Sequence, residues 1–196
     1  MEVDNAFVAA KLRRWEKYLN NYRLPSWEVI PEFGLYMEQV ISLLTRYLDY
    51  LPPELKDEEF ITAATINNYV RIRAMPKPSK KKYYRIHIAY LIVICTLKQG
   101  LSLSLIQKLM PVDIPEDEVR DIYTAYVQRH RLASEYFVEQ VRKAAAPILD
   151  HASDSALASD RVSDLITFSA AVGNFSRLLS EKLLLLEGKP IDVDIE

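Results

Sequence analysis

Apolar residues recur along this chain at intervals of three and four, and nowhere alternate over the length of a strand. Residues 3–22 place Phe7, Ala10, Leu12, Trp15, Tyr18 and Leu19 near that spacing, which predicts a first helix. Pro25 and Pro31 bracket a connector. Residues 35–51 repeat the pattern with Met37, Val40, Ile41, Leu44, Tyr47 and Leu48, one buried face that Pro52 and Pro53 bring to an end. Thr62 is a candidate N-cap for a helix over 62–74, and Pro76 and Pro78 close it. Residues 85–99 are apolar nearly all round, which predicts the centre of a small core, with Gly100 as its stop. A short helix follows Ser102 or Ser104 and ends at Pro111.

The character then changes. A long helix starts at Pro115, with Glu116, Asp117 and Glu118 at its N-terminal end and Arg142 and Lys143 at its C-terminal end, each suited to the helix dipole. Pro147 and residues 151–156 break it. A last long helix over 159–187 carries Leu165, Ile166, Phe168, Val172, Phe175, Leu179, Lys182, Leu183 and Leu186 in a stripe. The expectation is an all-α chain divided into a compact helical domain over 1–112, with its core at 35–110, and a long helical hairpin or bundle over 113–196.

Composition narrows the chemistry. The chain has 196 residues, of which 49% are hydrophobic, enough for a real core. One cysteine, Cys95, excludes an internal disulfide and a multi-cysteine zinc site; inside an apolar run it reads as a buried small hydrophobe. The N-terminus is amphipathic and acidic rather than signal-like, and the longest uncharged apolar run, near residues 86–97, is too short to span a bilayer. A cytoplasmic protein without a membrane segment is expected. No phosphate-binding glycine loop, H-E-x-x-H or G-x-S-x-G is present, and His87, His130 and His151 are scattered. No enzyme activity, metal or cofactor is expected, and His87, near a helix start, reads as structural or as a phosphate contact.

Charge singles out one region. Residues 60–112 hold nine of the chain's 25 basic residues and none of its 27 acidic ones, within a chain of net charge −2. A local basic surface of this kind is the footprint of a polyanion binder. On the 62–74 helix, Ile66, Tyr69, Val70 and Arg73 fall on one side, and Ala64, Asn67, Asn68 and Arg71 on the other. That second face suits a major groove, where asparagine pairs with adenine and arginine with guanine. Lys77, Lys80, Lys81 and Lys82 follow on a proline-stiffened loop, with Tyr83 and Tyr84 after them, placed to contact phosphates.

The order of helix, T-x-x-T-I-N-N-Y, Pro/Lys loop, apolar helix and G-L-S-L-S-L-I-Q-K-L resembles the winged helix-turn-helix of the MerR group. The string INNYV, MPKPSKKKY, HIAYLIVI is more similar still to a bacterial domain-of-unknown-function family, number 1836, usually described as a MerR-like DNA-binding regulator. The resemblance covers residues 35–110. It implies that residues 35–47 form the first helix of the motif. Thr65, Asn67, Asn68 and Arg71 would lie on the recognition helix, and residues 76–84 would form a wing. Thr65, Asn67, Asn68, Arg71, Lys77, Lys80, Lys81, Lys82, Tyr83 and Arg85 would then be the DNA-binding residues of a sequence-specific transcription regulator.

The resemblance also implies double-stranded DNA as partner and a homodimer joined by the long C-terminal helices. The alternative packing is a bundle of those helices with the 3–22 helix. Tyr123, Tyr126 and Tyr136 offer material for a small-molecule effector pocket. A second functional reading stands beside the first: a helical module whose basic patch docks an acidic protein or an RNA, without regulating transcription.

Overall fold

The structure, a computed structural model, describes residues 4–49, 61–150 and 154–186. Among them run seven α-helices: α1 (Asn5–Asn21), α2 (Met37–Tyr47), α3 (Ala63–Arg71), α4 (Arg85–Leu97), α5 (Leu103–Leu109), α6 (Glu116–Ala144) and α7 (Val162–Leu185). A single 3-10 turn, Trp27–Val29, interrupts the connector after α1.

α4 is the hub. Every residue from His87 to Cys95 is buried, which an all-round apolar helix requires and its neighbours supply. α2, α5 and α6 pack around it. Ile66 and Tyr69 of α3, and Trp27 and Ile30 of the connector, complete the cluster. Buried tyrosines tie the proline-rich connectors to it. Tyr123 Oη donates to the Pro25 carbonyl at 2.7 Å, and Tyr90 Oη to that of Pro111 at 2.5 Å. A proline offers the chain only an acceptor, so a protonated phenol is the matching group. Burial pushes the Tyr90 phenol up to about 12 and raises that of Tyr123 further, so both remain donors. Cys95 is fully buried, and burial pushes its thiol up to about 12, which leaves it packing as a small hydrophobe.

α6 serves two clusters. Val119 and Tyr123 belong to the core around α4. Its C-terminal half packs along α1, where Trp15 meets Phe137 edge-on at 5.7 Å and Arg142 pairs with Glu16. Beyond it, Ala145, Ile148 and Leu149 join Ala9 in a second, smaller cluster. The expected hairpin of the two long helices therefore gives way to a pairing of α6 with α1. α7 instead touches the second cluster through Val162 and Leu165, and meets α5, where Lys108 Nζ donates to the Leu184 carbonyl at 3.2 Å.

The all-α expectation stands, but the winged MerR-like motif does not. Among the described residues no β-strand forms. The stretch expected to be a wing makes only two isolated antiparallel bridges, Ser79 with Lys82 and Leu35 with Tyr83. The cause is local. Pro76 and Pro78 have no N–H to give to a ladder, and the turn at Lys80 and Lys81 closes at once. The two arms never reach the length of paired strands.

Candidate polyanion-binding site: a lysine turn between exposed aromatic rings

α3 is shorter than its apolar pattern suggests. Thr62 caps it as expected, its Oγ1 accepting from the Thr65 N–H at 3.1 Å. At the other end Ala74 N donates to the Tyr69 carbonyl at 2.8 Å and Arg73 N to that of Val70 at 3.2 Å. These two bonds form a Schellman stop, with Arg73 at φ 55° in the place glycine usually takes. Gln107 Nε2 of α5 reaches across to the carbonyls of Ile72 and Arg73, at 3.2 and 2.9 Å. The stop is thus bound from outside as well.

The lysine loop is held at both ends by one side chain. His87 sits at the third position of α4, 5% exposed. Its Nδ1 accepts from the Tyr84 N–H at 3.0 Å, and its Nε2 lies 3.0 Å from the Lys77 carbonyl. An Nδ1 that accepts leaves the proton on Nε2, so Nε2–H donates to Lys77. Between these anchors Lys80 and Lys81 both adopt the left-handed region, φ 49° and 63°. The bonds from Ser79 N to the Lys82 carbonyl and from Lys82 N to the Ser79 carbonyl, at 3.1 and 2.9 Å, close the turn. Two consecutive left-handed residues make a type I′ turn, for which Asn-Gly is the unstrained sequence. Two lysines here place two ammonium groups at an exposed tip at a cost of about 1 kcal/mol each.

The expected site residues separate into two groups. Lys77, Lys80 and Lys81 are exposed and make no ion pair among the described residues, and Asn67 is exposed too; Arg73, expected on the opposite side of the helix and not among the site residues, is also exposed. The others are engaged. Asn68 Oδ1 accepts from Arg71 Nη2 at 2.6 Å. The Thr65 hydroxyl lies 3.0 Å from that of Thr62. Tyr83 is 3% exposed and packs in the core. Arg85 donates to the Ile30 carbonyl at 2.9 Å, lies over the Trp27 ring, and reaches Glu32 at 3.9 Å. Lys82 holds its ammonium over the Tyr36 ring, 5.3 Å from the centroid.

That last contact leads to residues the basic window did not mark. Leu35 and Tyr83 exchange two backbone hydrogen bonds of 2.8 Å, which fastens residues 33–36 beside the lysine loop. The approach is close: a Cβ on Gly34 would stand 2.9 Å from Lys82 Cβ and from the Tyr84 ring. Phe33 and Tyr36 are thereby displayed next to the lysines at 69% and 57% exposure, with Tyr84 partly exposed beside them. Exposed rings interleaved with lysines form the surface to which stacked bases and their phosphates bind. The sequence signal was present in residues 33–36, but it lay outside the acid-free window.

A family described as Domain of unknown function (DUF1836) matches residues 25–128, just over half of the chain. The chain belongs to the DUF1836 family. No curated protein and no solved structure matches it. The matched span contains the α4 core, the lysine turn and the aromatic rings, and leaves α7 outside.

Membership carries no winged motif with it. The reading of the DUF1836 domain as a winged helix-turn-helix transcription regulator that reads duplex DNA is overturned by the absence of any strand among the described residues. The structure shows instead an all-helical domain with a basic, exposed surface. The tyrosines expected to enclose an effector go to three places. Tyr123 is core, Tyr126 lies 2.5 Å from the Thr96 hydroxyl, and Tyr136 is exposed.

Burial lowers the pKa of His87 and also that of His130, which is packed against the rings of Tyr22 and Tyr126. The unfolded chain therefore takes up protons near the ordinary histidine value of about 6.5, while the folded chain resists them. These two groups add no pH dependence above that value. Below it they cost stability progressively until the folded values are passed. Urea midpoints from pH 8 down to pH 5 are expected to stay level and then fall; a midpoint that rises on acidification would contradict the buried, neutral state of both rings.

Proposed function

We propose that the DUF1836 domain is an interaction module that binds single-stranded RNA through the lysine turn and the rings beside it. The observation that carries this reading is that exposed Phe33 and Tyr36 lie on the segment fastened to the lysine loop, with the Lys82 ammonium over the Tyr36 ring. Lysines alone suit any acidic partner, whereas aromatic faces at the same site give bases something to stack on, worth about 1–3 kcal/mol per base. RNA bases are read mostly when unpaired, so a loop or an unstructured strand is the form that fits.

Fluorescence anisotropy with a labelled unstructured RNA, titrated at several salt concentrations, tests the proposal. Three neutralised phosphates predict a slope of log affinity on log salt of about −2. Phe33→Ala and Tyr36→Ala together should weaken RNA binding at least about 30-fold, with the salt slope unchanged, because stacking releases no counterions. Polyglutamate serves as the acidic-protein arm and is expected to bind far more weakly. If polyglutamate binds as tightly as RNA and the ring substitutions change neither affinity, the site is a dock for an acidic protein and the RNA reading fails.

A further inference from the structure

α7 has no buried residue along its 24 positions, although it is rich in leucine. Its apolar residues follow a seven-residue repeat: Leu165, Phe168, Val172, Phe175, Leu179 and Leu186 alternate at spacings of three and four, with Lys182 filling the one remaining place. That period marks a helix whose seam is closed by another helix. Over the second half the stripe broadens. Phe175, Leu178, Leu179, Leu183, Leu185 and Leu186 are each more than half exposed. In the first half the seam residues Leu165, Phe168 and Val172 are half-buried.

We infer that α7 is a self-association helix, and that a second copy of this chain covers its seam with the two α7 helices antiparallel. This inference is independent of RNA binding. Three observations select a second copy. The first is area. Six exposed large side chains with the half-buried Leu165, Phe168 and Val172 amount to roughly 500–800 Å² of apolar surface per chain. That exceeds what a monomer ordinarily carries and approaches one side of a standard interface.

The second is charge. A seam meant for a different chain is specified by charges beside it, but here the one flanking charge is Asp164 at the N-terminal end, which accepts from Ser159 Oγ at 2.8 Å, and the other flanking positions are Ser169, Ala171, Ser176, Leu178, Leu183 and Leu185. An identical helix meets no repulsion there. Arg177 and Glu181 satisfy each other within the helix at 2.9 Å, away from the stripe. The third is Lys182. In a parallel pair the two Lys182 side chains would face each other inside the seam. An antiparallel pair sends them to opposite ends, where each long stem lies on apolar surface with its ammonium in water. The contact with α5 and, at the N-terminal end, that of Val162 and Leu165 with the second cluster fix α7 to the body of its own chain, leaving the seam outward from Phe168 on.

Sedimentation equilibrium of the full chain, with and without Phe175→Glu and Leu179→Glu, tests the inference. The unaltered chain is expected to be a dimer at about 50 μM, and the double variant a monomer, its dissociation constant raised at least about 100-fold. Both side chains are exposed in the single chain, so the variant should keep its circular dichroism spectrum. Asn174→Arg, off the seam, should leave the dimer intact. Lys182→Cys under mild oxidation reads the orientation, because buried Cys95 does not compete: little disulfide-linked dimer is expected. A monomeric unaltered chain, or a double variant that still dimerises, overturns the inference. Efficient cross-linking through position 182 overturns the antiparallel arrangement.

Discussion

Replacing His87 by alanine is expected to lower the stability of the domain by about 3 kcal/mol, the largest effect of any single substitution near the site. The imidazole satisfies the Tyr84 N–H at 3.0 Å and the Lys77 carbonyl at 3.0 Å in a place closed to water. Alanine leaves both unpaired, each worth about 1–3 kcal/mol, and opens a hole between the loop and α4. α2 indicates the partial remedy. There Gln39 occupies the same third position and its Oε1 accepts from the Tyr36 N–H at 2.9 Å. His87→Gln should therefore recover about half of the loss, restoring the cap but not the bond to Lys77. Urea unfolding followed by circular dichroism reads both variants. A loss under about 1 kcal/mol for alanine would mean that water replaces the imidazole freely and that the loop is not anchored through it.

Reversing Lys77, Lys80 and Lys81 to glutamate together is expected to weaken RNA binding by more than about 100-fold and to flatten the salt dependence. Three cations that release counterions are removed, and three anions are set against the phosphates. The instructive comparison is Lys80→Asn with Lys81→Gly. That pair keeps the turn, gives it the sequence its left-handed residues prefer, and removes two charges without reversing them. Stability should rise by about 1 kcal/mol while affinity falls about tenfold. The opposite signs separate the turn's two roles. If both variants lose stability and affinity in parallel, the lysines support the fold and the binding site lies elsewhere.

Most helices were legible because their boundaries are chemical. Thr62, Pro115 and the pair Pro76 and Pro78 mark ends that the structure reproduces within a few residues, Pro52 and Pro53 lie outside the described residues, and the all-round apolar stretch from His87 to Cys95 is the buried hub. The wing was illegible for a specific reason. The string from Met75 to Tyr84 has the length and charge of a hairpin, but alternate prolines remove the donors that would make strands of it.

The aromatic half of the site was hidden by distance. Nothing in the sequence joins Phe33 and Tyr36 to Lys80; the two hydrogen bonds between Leu35 and Tyr83 do so across 48 residues. Arg85 was misleading for the opposite reason. It stands among the other bases in sequence, yet a carbonyl and the Trp27 ring turn it inward. The partner of α6 was likewise a matter of which apolar stripe meets which, and Trp15 with Phe137 decided in favour of α1.

The buried residues of the long helix α6 lie towards its ends, Val119 and Tyr123 at one and Val138, Val141 and Ala144 at the other. Its middle turns have aromatic neighbours but no fully buried residue. The helix therefore has a group of buried side chains, a head, towards each end. Loosening one head leaves the other still holding half of the rod in helical form, a template on which the freed head can reassemble without nucleating afresh.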